Sequence, residues 1–151
     1  MTGSEQPLKL VALDEEDLEI LSAHCQDAVI RLDEMAYVKK DRRFALIINR
    51  FDWETALNTP KPKQYRRRRS ALRFDCVETV QRLQLDPAKK RDVKKLLAFR
   101  FEPHTPPAGE IHLIFSGGGE IKLNVECIEA ELQDLGAIWE TSSLPDHMLD
   151  D

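Results

Sequence analysis

The chain has 151 residues, of which 42% are hydrophobic and 32% charged, and its formal net charge is −5. This composition is typical of a globular domain with one core and excludes disorder throughout. The longest aliphatic run, residues 45–48, is too short to cross a bilayer, and the first residues lack the features of a signal peptide, so we expect a cytoplasmic protein without a transmembrane segment.

The first predicted elements are a strand and a helix. Residues 8–13 form a short apolar run, and Asp14 then offers a side-chain oxygen to the free amides of a helix that begins at Glu15. Asp17 completes a pair similar to a capping box, and apolar residues follow at helical spacing up to about Gln26.

A series of strands is predicted from residue 28 onward, where apolar residues begin to alternate. In residues 28–38, 44–53 and 71–85 the apolar residues change from one parity to the other partway along. A side chain cannot change faces within a regular strand, so two alternatives remain open. Either bulges bend long strands, as a curved sheet or small barrel requires, or two shorter strands flank each change.

The second half of the chain contains clearer strand patterns. Residues 93–101 and 111–115 place their apolar side chains on one parity, and residues 121–127 do the same after a glycine run. Glycines 117–119 supply the positive φ angles of a tight hairpin between the last two of these strands.

A C-terminal helix completes the predicted fold. Ile128, Leu132 and Leu135 fall at i, i+4 and i+7, and Gly136 is a suitable residue to follow a helix. The sequence therefore predicts an α+β fold: a strongly curved antiparallel sheet or small split barrel of about six or seven strands, one N-terminal helix and one C-terminal capping helix. We expect residues 8–140 to form this single domain, between a flexible N-terminus (1–7) and a flexible acidic tail (141–151).

Three segments carry a resemblance to a known family: residues 8–14 (LKLVALD), 42–54 (RRFALIINRFDWE) and 67–74 (RRRSALRF). On these segments the chain resembles an uncharacterised family, known chiefly from alphaproteobacteria and catalogued as a domain of unknown function. The resemblance implies no activity, cofactor or catalytic residue. The predicted meander with its closing helix also resembles a pleckstrin-homology-like barrel, an architecture that hosts many functions.

Positive charge is concentrated in the sequence. Fifteen of the 22 Lys and Arg residues lie in residues 39–43, 61–69 and 89–95, and the rest of the chain carries seven positive against 25 negative charges. A surface segregated in this way attracts anionic partners. The candidate anion-binding or partner-binding residues are Lys39, Lys40, Arg42, Arg43, Tyr65, Arg66, Arg67, Arg68, Arg69, Lys89, Lys90 and Arg91.

Topology suggests how the basic stretches are arranged. In an up-and-down meander the connections at residues 39–43 and 86–92 emerge at one end, where their cations would converge on a phosphate or another anion. Residues 61–69 would emerge at the opposite end, where Tyr65 beside four arginines suits an acidic partner or a nucleic acid. Two alternatives remain. Either these cations serve only to keep the turns soluble and to prevent strand edges from pairing with other chains, or they pair with the chain's own carboxylates.

The leading hypothesis is a non-enzymatic binding or adaptor module whose basic loops contact an acidic protein or a phosphorylated ligand, without a cofactor. A nucleic-acid-contacting accessory protein is the alternative, although the pI near 5.4 and the lack of known nucleic-acid-binding signatures disfavour it. An enzyme is the third hypothesis. It requires a pocket that gathers His104 or His112 with carboxylates.

Cysteine and histidine form no metal-binding or catalytic motif in the sequence. Cys25, Cys76 and Cys127 are odd in number and far apart, which predicts buried free thiols without a disulfide. His112 alternates away from an apolar face and His104 lies in a proline-rich loop, so we expect surface positions for both. No Cys-x-x-Cys or His-x-x-x-His spacing occurs, and no metal ligand or catalytic residue is predicted.

Overall fold

The computed structural model of the chain describes residues 7–51, 65–86, 88–89 and 91–141. Within the strands, the side chains of residues 65, 66 and 137–141 lie outside that description. The two segments expected to be flexible at the ends lie almost entirely outside it as well.

Ten strands and one helix form in the described part of the chain. They are β1 (Lys9–Ala12), α1 (Glu15–Cys25), β2 (Val29–Arg31), β3 (Met35–Val38), β4 (Arg43–Phe51), β5 (Tyr65–Phe74), β6 (Val77–Leu83), β7 (Val93–Pro103), β8 (Gly109–Phe115), β9 (Glu120–Val125) and β10 (Ala130–Thr141), with 3-10 turns at Lys39–Asp41 and Ser116–Gly118.

All strand pairs are antiparallel. The strands follow one another in the order β1-β10-β5-β4-β2-β7-β8-β9-β6, and β3 pairs with β4 outside this path. Within the described residues the end strands β1 and β6 do not pair with each other, so the sheet is open.

One hydrophobic core lies between the two halves of this sheet. Phe74 of β5 and Phe99 of β7 come from different halves, yet their rings meet edge to face with centroids 5.6 Å apart. The sheet therefore folds over on itself. Helix α1 adds the buried side chains of Leu18, Leu21 and Cys25 to the same cluster.

Several local predictions are confirmed. The Asp17 amide donates to Asp14 Oδ1 at 2.8 Å, which caps α1 as expected. In β8 and β9 every second side chain is buried, as the alternation predicted. The glycine hairpin also forms, and positive φ angles of 80° at Gly117 and 95° at Gly118 show why glycine is needed there.

The predicted fold class is wrong. The described chain is mostly antiparallel sheet with ten strands and a single helix, and this open sheet is not the α+β fold with a split, pleckstrin-like barrel of six or seven strands and two helices that we expected. The predicted C-terminal helix is instead strand β10. The inward residues of β10 are Ala130, Leu132 and Asp134. Because Asp134 is charged and Leu135 is an exposed leucine, the apolar residues of this strand repeat at helical spacing instead of alternating.

Two of the three predicted parity changes mark breaks between shorter strands, whereas a bulge occurs in β7, where no parity change was predicted. Residues 28–38 form two short strands, β2 and β3, and residues 71–85 are divided between β5 and β6 at Cys76, whose φ is +58°. In β7 the pairing with β8 shifts between Leu96 and Ala98, so a bulge exposes Leu97, which the sequence pattern had placed on the buried face.

Candidate functional site

A buried ionic cluster lies where β4, β5 and β10 meet. Arg50 continues the inward face of β4, Arg68 and Ser70 continue that of β5, and Asp134 faces them from β10. All four side chains are buried, although three of them bear a charge. A buried charge is tolerated when it is paired and hydrogen-bonded, and the contacts of Asp134 meet that condition.

Asp134 has donors on both carboxylate oxygens. Arg50 donates through Nε to Oδ1 and through Nη2 to Oδ2, each at 3.0 Å, which is a bidentate pair. Ser70 Oγ donates to Oδ1 at 2.6 Å and the Leu8 amide donates to Oδ2 at 2.8 Å. Arg68 Nε lies 3.8 Å from Oδ2. Burial raises the pKa of Asp134, but the donors from Arg50, Ser70 and Leu8 outweigh it and lower that pKa below its ordinary value.

Cys25 of α1 lies against this cluster. Burial raises the pKa of its thiol to about 12, while the charges of Arg50 and Asp134 act on it in opposite directions. The thiol therefore stays protonated at neutral pH and behaves as a small apolar side chain.

Arg67 differs from the arginines around it. Its side chain is 1% exposed, its Nη1 donates to the Asn49 carbonyl at 2.8 Å, and its guanidinium carbon lies 6.0 Å from the centre of the Phe51 ring. The buried Nε and Nη2 atoms have no hydrogen-bond partner among the described residues. These two atoms form the edge with which Arg50 binds Asp134, and with which arginine binds carboxylates and phosphates.

The electrostatics of Arg67 agree with this geometry. Desolvation by burial lowers its pKa to about 10, opposed by the charge of Asp27. The side chain is therefore still a cation at neutral pH. Arg67 thus adds a third buried arginine to Arg50 and Arg68 at this end of the sheet.

The other arginines of the second basic stretch, residues 61–69, have different surroundings. Arg69 Nη2 donates to Glu34 Oε2 at 2.8 Å and is thereby paired within the chain. The side chains of Tyr65 and Arg66, and residues 61–64, lie outside the described residues.

Two of the four cations in the first basic turn are paired with carboxylates. Lys39 and Lys40 are exposed in a 3-10 turn, whereas Arg42 forms a bidentate pair with Glu126 and Arg43 Nε donates to Asp75 at 2.7 Å. Lys89 and Arg91 are exposed on the 84–92 connection, and Lys90 lies outside the described residues.

The two turns expected to converge are not brought together. The Arg42 carbonyl accepts from the amide of Val77, the first residue of β6. The 84–92 connection instead follows Leu83, the last residue of β6. The turns therefore lie at opposite ends of that strand, because residues 28–38 and 71–85 each divide into two strands and change the meander on which the expectation depended.

Cysteines and histidines are placed closer together than their sequence positions suggested. The ligand atoms of Cys76, Cys127 and Glu129 lie within 4.8 Å of one another. His112 is not a solvated surface residue either, since its side chain is only 13% exposed and both ring nitrogens contact glutamates. Its cluster is described further below.

Sequence reasoning missed Arg50, Ser70 and Asp134. The sequence does contain a signal for these residues. Each lies on the inward-facing parity of its strand, two positions before or after a buried aliphatic residue (Ile48, Leu72 and Leu132). Whether inward polar residues of three strands contact one another depends on the order of those strands in the sheet. The sequence alone did not give that order.

The fold and site define an antiparallel β-sheet protein with three buried arginines at one sheet end. Within the described residues, no helix is long and apolar enough to span a membrane. The chain belongs to the family described as "Protein of unknown function (DUF2948)", whose model matches residues 8–147. Membership of such a family was the expectation from the sequence. Searches of curated proteins and of solved structures found no match.

Proposed function

We propose that the protein is a binding module for an anionic partner, which offers a carboxylate or phosphate group to Arg67. The partner is an acidic protein or a phosphorylated ligand, as the concentration of arginine in residues 66–69 suggested. The proposal moves the point of contact from exposed basic turns to the buried side chain of Arg67 on β5.

The observation that carries the proposal is the Nε and Nη2 edge of Arg67. A buried donor without a partner costs about 1–3 kcal/mol, and more when it is charged. An oxyanion accepting from both atoms would remove that cost and form the pair that Asp134 forms with Arg50. Arg67 lies on the opposite parity of β5 from Arg68 and Ser70, so its side chain does not share the face on which Asp134 is paired.

Burial of the site has kinetic consequences. The oxyanion reaches Arg67 only when the residues that cover it move aside, because the side chain is almost inaccessible without a ligand. We therefore expect association slower than that of an exposed cationic patch. Once bound, the ion pair is shielded from water and less sensitive to salt than a surface pair.

The test is thermal unfolding of the wild type and of Arg67→Met in sodium phosphate, sodium acetate and sodium chloride at equal ionic strength. Phosphate or acetate should raise the wild-type melting temperature in a saturable way, because a ligand that binds the folded state stabilises it. The gain should vanish in Arg67→Met. A rise in melting temperature with phosphate alone would indicate a phosphorylated ligand. A rise with both anions would indicate that the site also accepts a carboxylate, which an acidic protein offers.

Arg82→Met is the matched control, since Arg82 is an exposed arginine of β6. It should keep the full response to the anions. In chloride, Arg67→Met should be as stable as the wild type or more so, because loss of the buried charge offsets loss of one hydrogen bond. The proposal fails if Arg67→Met retains the anion response, or if it loses more than about 3 kcal/mol of unfolding free energy, which would mark Arg67 as a structural residue.

A further inference from the structure

A second cluster of ionisable side chains lies on the outer face of β7, β8 and β9. Glu110 and His112 occupy alternate positions of β8, so they share a face, and Glu102 of β7 is directly opposite Glu110 in the register. Glu120 of β9 approaches from the other side of His112. His104, in the β7–β8 loop, approaches Glu110.

His112 is held between carboxylates through both ring nitrogens. Its Nδ1 lies 2.6 Å from Glu120 Oε2, while its Nε2 lies 3.1 Å from Glu110 Oε1 and 3.8 Å from Glu102 Oε2. Proteins orient metal-binding imidazoles in this way: one ring nitrogen faces a carboxylate, and the other is left to face the metal and its oxygen ligands.

The cluster has an excess of negative charge. Three glutamates surround His112, against two cations on the neighbouring strands: Lys122, whose Nζ lies 3.8 Å from Glu110 Oε2, and Arg100, which is opposite His112 in the register. Carboxylates directly opposite each other on neighbouring strands, as Glu102 and Glu110 are, destabilise a sheet unless a cation lies between them.

We propose that His112 Nε2 and the carboxylates of Glu102 and Glu110 bind a divalent transition-metal ion such as Zn²⁺, with Glu120 as the residue that orients His112. The ligand atoms of these three residues already lie within 4.8 Å of one another. His104 Nε2, 3.1 Å from Glu110 Oε2, is placed to become a fourth ligand.

The spacing and chemistry of the donors fit such an ion. Bonds of about 2.0–2.2 Å to a tetrahedral metal separate neighbouring ligand atoms by about 3.4 Å, close to the 3.1 and 3.8 Å around His112 Nε2. Imidazole with carboxylates suits Zn²⁺, Co²⁺ and similar ions better than Mg²⁺ or Ca²⁺, which prefer oxygen alone. Glu110 and His112 are mostly buried on a regular strand, so they are already oriented, while Glu102 is exposed and can adjust.

The test is titration of the purified protein with ZnCl₂ by calorimetry, and with CoCl₂ by optical spectroscopy. We expect one equivalent of metal, and a Co²⁺ spectrum without the strong thiolate charge-transfer band of cysteine ligation. His112→Gln or Glu110→Gln should weaken Zn²⁺ affinity by more than about 100-fold, and Glu120→Gln by about 10–100-fold, since it removes the orienting carboxylate.

Two further variants decide between this site and other metal-binding groups. Cys76→Ser/Cys127→Ser should leave Zn²⁺ affinity unchanged, although these residues form the other potential ligand group among the described residues. Glu78→Gln, an exposed glutamate of β6, controls for loss of one charge. Circular dichroism shows whether each variant is folded, and Glu102→Gln, at the most exposed ligand, provides a milder change if the others unfold. A thiolate band, unchanged affinity in His112→Gln, or no binding of Zn²⁺ at millimolar concentration would overturn the proposal.

Discussion

Arg50 and Arg67, at one end of the sheet, differ in what the Nε and Nη2 edge of the guanidinium group contacts. Arg50 directs Nε and Nη2 at Asp134, whereas the same atoms of Arg67 are buried without a partner among the described residues. Arg67 has already lost its water in the folded chain, so an incoming oxyanion meets a donor that needs no further desolvation. This difference is the physical basis of the proposed binding site.

Asp134 is the residue on which the buried cluster depends most. Asp134→Asn would remove the buried carboxylate that pairs with Arg50 and lies close to Arg68, so we expect a loss of about 3–5 kcal/mol in unfolding free energy, measured by denaturant titration at neutral pH. Asp33→Asn is the control, because Asp33 pairs with the half-exposed Arg31 and its loss should change stability much less. Equal losses in the two variants would contradict the assigned role of Asp134.

The same carboxylate makes stability depend on pH in a defined direction. Because the pKa of Asp134 is lower in the folded chain than in the unfolded one, its contribution is complete above the unfolded value of about 3.9 and is lost as the pH falls through the folded value. The difference in melting temperature between wild type and Asp134→Asn should therefore be constant from pH 7 to 5 and shrink below about pH 4.

In strand β10, one buried charged residue disguises the alternating hydrophobicity pattern by which a strand is predicted. Leu132 is fully buried while Leu135 is about half exposed, although a helix over residues 128–135 would bury both on one face. Inward alternation continues through Asp134, which a hydrophobicity pattern counts as an outward residue. The helical spacing of Ile128, Leu132 and Leu135 was therefore coincidental.

Truncation of the two leucines distinguishes these structures. Leu132→Ala should cost about 2–5 kcal/mol because it opens a cavity in the core. Leu135→Ala should change the unfolding free energy by less than about 0.5 kcal/mol, as expected of an exposed position. Denaturant titration measures both, and similar large losses would favour the helix over the strand.

Elements defined by local chemistry were predictable from the sequence. The Asp14 cap, the alternation in β8 and β9 and the glycine hairpin depend on neighbouring residues alone, and all three are present. The bulge at Leu96–Ala98 and the break at Cys76 depend on pairing with distant strands. A single sequence does not contain the register that determines such irregularities.

Charge is segregated along the chain, but the fold pairs several of the clustered cations with distant carboxylates. Arg42 and Glu126 are 84 positions apart, as are Arg50 and Asp134, yet the fold joins both pairs. The prediction that the basic stretches contain the binding residues remains a prediction, and the internal pairing of Arg68 and Arg69 reduces the number of cations open to a partner. Arg67 was predicted as a site residue because of its type, whereas its burial could be seen only in the fold.

The most direct test of the central proposal observes the Nε–H group of Arg67 itself. In a ¹H–¹⁵N spectrum of arginine side chains, assigned with Arg67→Met, titration with sodium phosphate or sodium acetate should shift the Arg67 signal progressively to saturation, with the proton moving downfield as it enters a charge-assisted hydrogen bond. Arg82 should show no comparable change, and sodium chloride at equal ionic strength should not reproduce the Arg67 shift. An Arg67 signal that stays in place with both oxyanions, or that moves equally with chloride, would contradict the proposal that this arginine binds an anionic partner.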